Sequence, residues 1–323
     1  MYISFKNFIS DKIISAISKM ENVQDFKNYW NTIRKCAMII RKNMCLKKLF
    51  FAQKFSTRST KETWNSSLQN SHRAWLKEFT QNHHDVVNAI LKNTEVTRDH
   101  LTPELKLFLL TKNCPLYHEP FIDKYIDGKF DSLTRNVFQD PFWSIYWPGG
   151  QVLTRFILDE KERILGSKMT RNVRKGVIKI LDLGAGCGAT AIAAKLTNEK
   201  CKVVANDISK VACVAIAMNA ILNNVDIEVL WENLLEKPLK GLYDVIFVGD
   251  LLYDEEIANT LMTWLEDAHE RGAQIYLGDP GRHGLNENFR KRLRLLRRYS
   301  LPENVRKENH GYDMATVWEF NRT

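Results

Sequence analysis

The segment that most constrains this chain is Val177–Thr190, VIKILDLGAGCGAT. An apolar run from Val177 to Leu183 carries one acid near its end, Asp182, and passes into the turn Gly184-x-Gly186-x-Gly188. Ala189, Ala191, Ala193 and Ala194 then open a helical pattern. That order predicts a buried strand, a tight turn and a helix N-terminus, because glycine lets the backbone turn sharply and lets a ligand approach it closely.

From Val177 onward, strands and helices alternate. Strands are expected at Val177–Leu183, Lys202–Asn206, Ile227–Leu230, Tyr243–Gly249 and Gln274–Gly278. Helices are expected at Ala189–Leu196, Lys210–Asn223, Glu255–His269 and Asn286–Leu296. Continuous apolar strands with intervening helices imply a parallel sheet covered on both faces. Arg298–Leu301 and Ala315–Phe320 suit an antiparallel hairpin at one edge. The expected fold is therefore α/β: a Rossmann-like sheet of seven strands, mostly parallel, with helices on both faces and a helical N-terminal extension. In that extension, helices are expected at Ser71–Leu91 and at Leu101–Leu110, the latter opened by Thr102-Pro103. A short helix, Gln151–Leu158, follows the aromatic stretch DPFWSIYWPGG at 140–150.

Charge separates the N-terminal arm from the rest. Residues 1–80 hold 15 Lys and Arg against 5 Asp and Glu, whereas 81–323 hold 32 against 33. The folded part is near neutral, which argues against a general nucleic-acid surface. Within Asn31–Thr60 there is no acid, and Arg34, Arg41 and Lys48 recur every seven residues among apolar neighbours. A basic, amphipathic, acid-poor stretch ending in Ser and Thr has the composition of a mitochondrial transit peptide. Three regions follow: a basic arm (1–60), a helical extension and loop (61–140), and a ligand-binding domain (141–323). The basic run Arg290–Arg298 reads as a solvated helix face. The six cysteines form no C-x-x-C pair and have no His at ligand spacing, so no metal site is expected. No apolar run is long enough for a transmembrane helix.

In an open parallel sheet, ligands bind beyond the C-terminal strand ends. Here the first strand ends in Asp182 and the glycine turn. The second ends in Asn206-Asp207, where an acid accepts both ribose hydroxyls of an adenosine ligand. The third is followed by Glu232-Asn233, placed to reach an adenine edge. The fourth ends in Gly249-Asp250-Leu251-Leu252-Tyr253-Asp254 and the fifth in Gly278-Asp279-Pro280-Gly281-Arg282. The turn by itself also fits a dinucleotide fingerprint, Gly184-x-Gly186-x-x-Ala189. Asp182 tilts the choice to S-adenosylmethionine: an anion there suits a cationic amino and sulfonium ligand and repels a pyrophosphate. Trp147, just before a helix start, reads as a cofactor wall or as core packing. Asp279 and Arg282 read as a substrate loop or as a structural turn with an ion pair. Cys187 reads as a small residue of the turn rather than a nucleophile.

The motifs W-P-G-G (147–150), L-D-L-G-A-G-C-G-A-T-A-I-A-A-K (181–195), A-N-D-I (205–208), G-D-L-L-Y-D-E (249–255) and G-D-P-G-R (278–282) resemble the seven-β-strand protein-lysine methyltransferases. Within them, N-T-E-V-T (93–97), L-T-P-E-L (101–105) and T-V-W-E-F (316–320) are similar to the branch that acts on the electron transfer flavoprotein β subunit. The resemblance covers Ile90 to the C-terminus; residues 1–80 have no counterpart, and 116–138 is longer than the family pattern. It implies trimethylation of lysines on that β subunit in the mitochondrial matrix, with a cytoplasmic pool left open. It also implies that Asp250 and Tyr253, matching a D-x-x-Y motif, engage the target lysine. Trp147, Asp182, Gly184, Gly186, Gly188, Asp207, Asn233 and Asp250 are the expected cofactor contacts. A nucleic-acid N-methyltransferase would need an Asn/Asp-Pro-Pro-aromatic segment where Gly249-Asp250-Leu251-Leu252 stands. Methylation of another protein or a small molecule, or a non-catalytic S-adenosylmethionine-binding scaffold, are the alternatives.

Overall fold

The computed structural model describes residues 49–71, 73–118, 137–138, 141–166, 177–236, 243–309 and 311–321. The chain divides into two units, Met1–Phe51 and Ala52–Thr323, and the elements below belong to the second apart from the first residues of α1. The transit-like pattern of 31–48, the long stretch 119–136 and the connection 167–176 lie outside the described residues.

Seven strands form one sheet in the order β5-β4-β3-β6-β7-β9-β8. The parallel members are β3 (Lys179–Leu183), β4 (Lys202–Asn206), β5 (Glu228–Leu230), β6 (Val245–Gly249) and β7 (Gln274–Asp279). The strands β8 (Leu293–Ser300) and β9 (Met314–Phe320) are antiparallel, with β9 beside β7 and β8 at the edge. Side chains alternate between two cores. Ile180, Val245, Phe247 and Tyr276 enter one, and Leu181, Leu183, Ile246, Val248, Ile275 and Leu277 enter the other. The period of two in a strand makes an uninterrupted apolar run serve both faces at once.

One face is covered by α4 (Pro148–Asp159), α6 (Ala189–Thr197) and α7 (Lys210–Leu222), the other by α8 (Glu255–Glu270). Every residue of α7 from Ala212 to Leu222 is buried. A helix apolar all round must be covered all round, and the N-terminal elements supply the outer cover. Those are α2 (Ala74–Asn82), α3 (His84–Asn93) and the hairpin β1 (Glu95–Thr97) with β2 (Leu107–Leu109). Before them runs α1 (Leu49–Asn70), whose Trp64 meets Phe108 edge-on at 6.1 Å. This helix passes through residue 60, the expected end of the basic arm.

Three expected helices take another form. Ser71–Leu91 is broken at His83, whose Nδ1 bonds the Phe79 carbonyl at 2.8 Å, so two helices result. Leu101–Leu110 is a turn followed by β2. The Lys106 and Phe108 N–H groups donate to the side chains of Asn223 (2.9 Å) and Asn219 (2.8 Å) on α7 instead of to helical carbonyls. Thr102 caps nothing: its hydroxyl meets the Tyr146 phenol and His100 Nδ1, both at 3.2 Å. Asn286–Leu296 gives only the single turn α9 (Glu287–Arg290), after which the chain enters β8. The basic run therefore lies largely on an edge strand. Arg294 pairs with Glu319 across the strands and Arg297 with Glu160; charge along an edge discourages pairing with another chain. Two short helices, α5 (Lys161–Leu165) and α10 (Glu303–Glu308), complete the described elements.

Candidate active site

The strand ends converge as the topology requires, and most of the expected residues have a definite neighbour. Asp182 is 2% exposed, and its Oδ2 accepts from the Ala191 N–H at 2.9 Å. It satisfies a donor in the first turn of α6, where four N–H groups lack helical partners. Burial pushes its carboxyl up to about 7, against the pull of that N–H and with a further push from Asp207. Asp207 Oδ2 accepts from Gly186 N at 3.0 Å and Oδ1 from Ser209 N at 2.9 Å. The carboxylate at the end of β4 thus braces the glycine turn after β3, and burial raises its pKa as well. Gly186 has φ 54°, and a Cβ there would meet nothing within 4 Å: the turn opens onto free space. Asn206 Nδ2 bonds the carbonyls of Leu230 and Glu232, each at 2.9 Å, fixing the loop after β5. In that loop, Asn233 Oδ1 accepts from Leu235 N at 3.2 Å.

The second half of the site is built where W-P-G-G meets the ends of β6 and β7. A Cβ on Gly149 would lie 2.2 Å from the Gly278 carbonyl oxygen, and one on Gly278 would lie 2.0 Å from that of Gly149. Only glycine lets the first turn of α4 rest on the sheet this closely. Gly249 and Gly278 are register partners across β6 and β7, so three glycines of different motifs share one contact. Pro148 at the first helical position supplies a pre-set φ and lacks the N–H that would go unpaired.

Asp250 follows Gly249 directly at φ 59°, a left-handed conformation for a non-glycine residue. The reversal turns its carboxylate back toward α4. There Oδ2 accepts from the Gly149 N–H, and Oδ1 meets Arg282 Nε at 2.5 Å. Asp250 is buried; desolvation pushes its carboxyl up, while Arg282 and the Gly149 N–H push back toward the charged form. Arg282 is held in turn. Its Cζ lies 5.3 Å from the Trp147 ring centroid and 5.2 Å from that of Tyr312, and its N–H donates to Asp279 Oδ1 at 2.8 Å. Asp279 also accepts from Gly281 N at 2.6 Å, its Oδ2 is buried without a hydrogen-bond partner, and burial pushes it up to about 7. Trp147 is half-buried and donates from Nε1 to the Phe142 carbonyl at 2.9 Å.

Tyr253 is 58% exposed at the rim. Partial burial and the charges of Asp207 and Asp254 push its phenol up, so it stays neutral near pH 7. Cys187 is buried, and its thiol is pushed up to about 12, which keeps it a thiol rather than a nucleophile.

Two residues were missed at the level of sequence. Tyr312 stacks on Arg282 from the loop before β9, and no local pattern marks it. Asn219 joins the glycine turn to the hairpin: Nδ2 donates to the Cys187 carbonyl at 2.9 Å while Oδ1 accepts from Phe108 N. A lone amide in an otherwise apolar helix was the signal available. Among the described residues, no group of three or more His, Cys, Asp or Glu is placed to hold a metal ion.

The arrangement fits S-adenosylmethionine. The turn is open above Gly186, where a ligand can approach, and the carboxylates of Asp182, Asp207 and Asp279 around it favour a cationic ligand over a pyrophosphate.

Comparison with known proteins places the chain in a family. A lysine methyltransferase family profile matches residues 139–295. The chain is 36% identical over 271 residues to the electron transfer flavoprotein β-subunit lysine methyltransferase of Danio rerio, covering 83% of this chain and 95% of that one. It is 39% identical to the Mus musculus protein of the same name, covering 71% and 82%. The Caenorhabditis elegans homologue is 34% identical, with 72% and 94% covered.

Proposed function

The chain belongs to the electron transfer flavoprotein β-subunit lysine methyltransferase family, and on that premise we propose that it methylates lysines of that β subunit in mitochondria. It is an S-adenosylmethionine-dependent protein-lysine methyltransferase. The observation that carries the substrate reading is the meeting of Trp147-Pro-Gly-Gly, Asp250 and Asp279-Pro-Gly-Arg282 around one buried carboxylate, beside the exposed Tyr253. The mitochondrial placement rests on the relatives' named substrate and on the basic arm. Among the described residues, no helix is long and apolar enough to cross a membrane.

The cofactor supplies a methyl group already activated by positive sulfur. The protein's part is alignment and exclusion of water. In this reading, Asp207 receives the ribose hydroxyls, the turn at Gly184–Gly188 carries the amino-acid end, Asn233 borders the adenine, and Trp147 closes one wall. Asp182 acts from behind, by setting the first turn of α6. Asp250 holds α4 against the strand ends and fixes the place where the lysine arrives. Tyr253, neutral and at the rim, orients the lysine nitrogen through its hydroxyl.

Intact-mass analysis tests the whole reading. Purified enzyme, S-adenosylmethionine and the purified β subunit should give stepwise mass increments of one methyl each, and peptide mapping should place them on lysine. In a parallel incubation with labelled S-adenosylmethionine and a mitochondrial extract, label found only in small solutes would instead favour a small-molecule substrate, and no transfer at all a scaffold.

A further inference from the structure

We propose that Arg282 is a positioning residue that keeps the incoming lysine nitrogen in its neutral form, by cancelling the Asp250 charge where that nitrogen arrives. The inference rests on the reading that the target lysine approaches Asp250 and Tyr253.

The chemistry poses a specific difficulty. Only a free amine has the electron pair that attacks the methyl group, yet an isolated lysine titrates near ~10.4, so its neutral fraction at neutral pH is far below ~1%. A bare carboxylate beside the amine would stabilise the ammonium and make the problem worse. Asp250 is buried, so water screens it poorly. In the structure it is not bare. One oxygen is occupied by Arg282 Nε at 2.5 Å and the other by the Gly149 N–H.

Arg282 is fixed as a source of positive charge should be. Trp147 and Tyr312 flank its guanidinium, and its main-chain N–H is bound to Asp279. A guanidinium cannot give up its proton at any working pH, so it acts through its field and not as a base. The other ionisable groups at the strand ends are Asp182 on β3, Cys187 in the glycine turn, Asp207 after β4, Glu232 after β5, Tyr253, Asp254 and Glu255 after β6, Asp279 on β7, His283 paired with Glu255, and Tyr312 before β9. The acids outnumber the cation. Asp182 and Asp279, pushed up to about 7, are only partly charged near neutrality. Asp250 is the carboxylate that matches the D-x-x-Y position, and it is the one Arg282 neutralises. The ammonium proton then leaves to water. The nitrogen pair forms the new C–N bond as the S–C bond breaks, and that bonding pair stays on sulfur, which becomes a neutral thioether.

The test is the pH dependence of kcat with the purified β subunit as substrate, for wild type, Arg282→Gln, Arg282→Lys and Asp250→Asn. Thermal melting and S-adenosylmethionine affinity are measured alongside. In Arg282→Gln, the rise in kcat should move up by about one pH unit, giving roughly a tenfold deficit near neutrality that closes at high pH. Arg282→Lys should restore most of the profile, and Asp250→Asn, with Arg282 kept, should move the rise to lower pH. An Arg282→Gln deficit that is the same at every pH, in a folded, cofactor-binding protein, would overturn the proposal. If that variant does not fold, an Asp250→Asn profile unmoved from wild type overturns it equally. Wild type that leaves the β subunit unmodified would overturn the function itself, and the role of Arg282 with it.

Discussion

Asn219 accepts a hydrogen bond from the Phe108 backbone N–H at 2.8 Å across 111 residues of chain, and the same side chain donates to Cys187 in the glycine turn. The N-terminal hairpin and the cofactor loop are thus joined through one buried amide. Asn219→Ala leaves a donor and an acceptor unpaired, which costs about 1–3 kcal/mol for each. Urea unfolding should show that loss, and calorimetry should show weaker S-adenosylmethionine binding. Unchanged affinity in the variant would mean the turn holds its shape without Asn219.

Gly278→Ala places a methyl group 2.0 Å from the Gly149 carbonyl oxygen. Backbone must move, since no side-chain rotamer relieves the overlap, and the cost should be on the order of 3 kcal/mol. Activity should fall further than stability, because the movement separates Asp250 from the Gly149 N–H. Thermal melting and turnover, measured together, separate the two effects.

Asp182 gives a pH signature. Its folded pKa, about 7, exceeds the unfolded value near ~3.8. Between those values the folded state binds the proton that the unfolded state has released, so this group's contribution to stability falls as pH rises through that window and levels off above it. Asp182→Asn removes the term. The stability of the variant relative to wild type should therefore improve from about pH 4 to about pH 7 in cofactor-free protein. A cationic ligand favours the ionised form. Added S-adenosylmethionine should flatten the difference, and its affinity should weaken as pH drops below 7.

Tyr253 can be altered without harm to the fold because it is 58% exposed. Tyr253→Phe should keep the wild-type melting temperature and cofactor affinity while turnover falls on the order of tenfold to a hundredfold. Equal turnover would assign the ring, and not the hydroxyl, to the rim of the site.

The parts of the molecule that could be read from the chain are those where pattern and partner coincide. The run Ile180–Leu183 serves two cores, so its lack of a polar face was itself the signal for a strand buried on both sides. Strand β4 begins and ends where expected. By contrast, LRLL at the start of β8 reads as helical because a bulge between Leu295 and Arg297 breaks the alternation of the strand, whereas the stretch from Arg298 reads as strand. The hairpin strand β2 owes its form to Asn219 and Asn223, which no window around residue 107 contains. Within the site, the chain shows which residues end strands but not what they touch. Asp182 and Asp250 were expected to face ligands, and each carboxylate also completes the N-terminus of a helix. That use depends on how α4 and α6 dock, which is a property of the assembled sheet.

The buried outer surface of α7 sets a limit on maturation. Proteolytic removal of an N-terminal leader beyond Trp64 would take away the indole that meets Phe108 on the strand that covers this helix. Cleavage that also took α2, α3 and the hairpin would bare an apolar helix and detach the clamp on the cofactor turn. The mature N-terminus can therefore be sought by sequencing the purified protein, and it should fall upstream of α2, the first helix packed on α7.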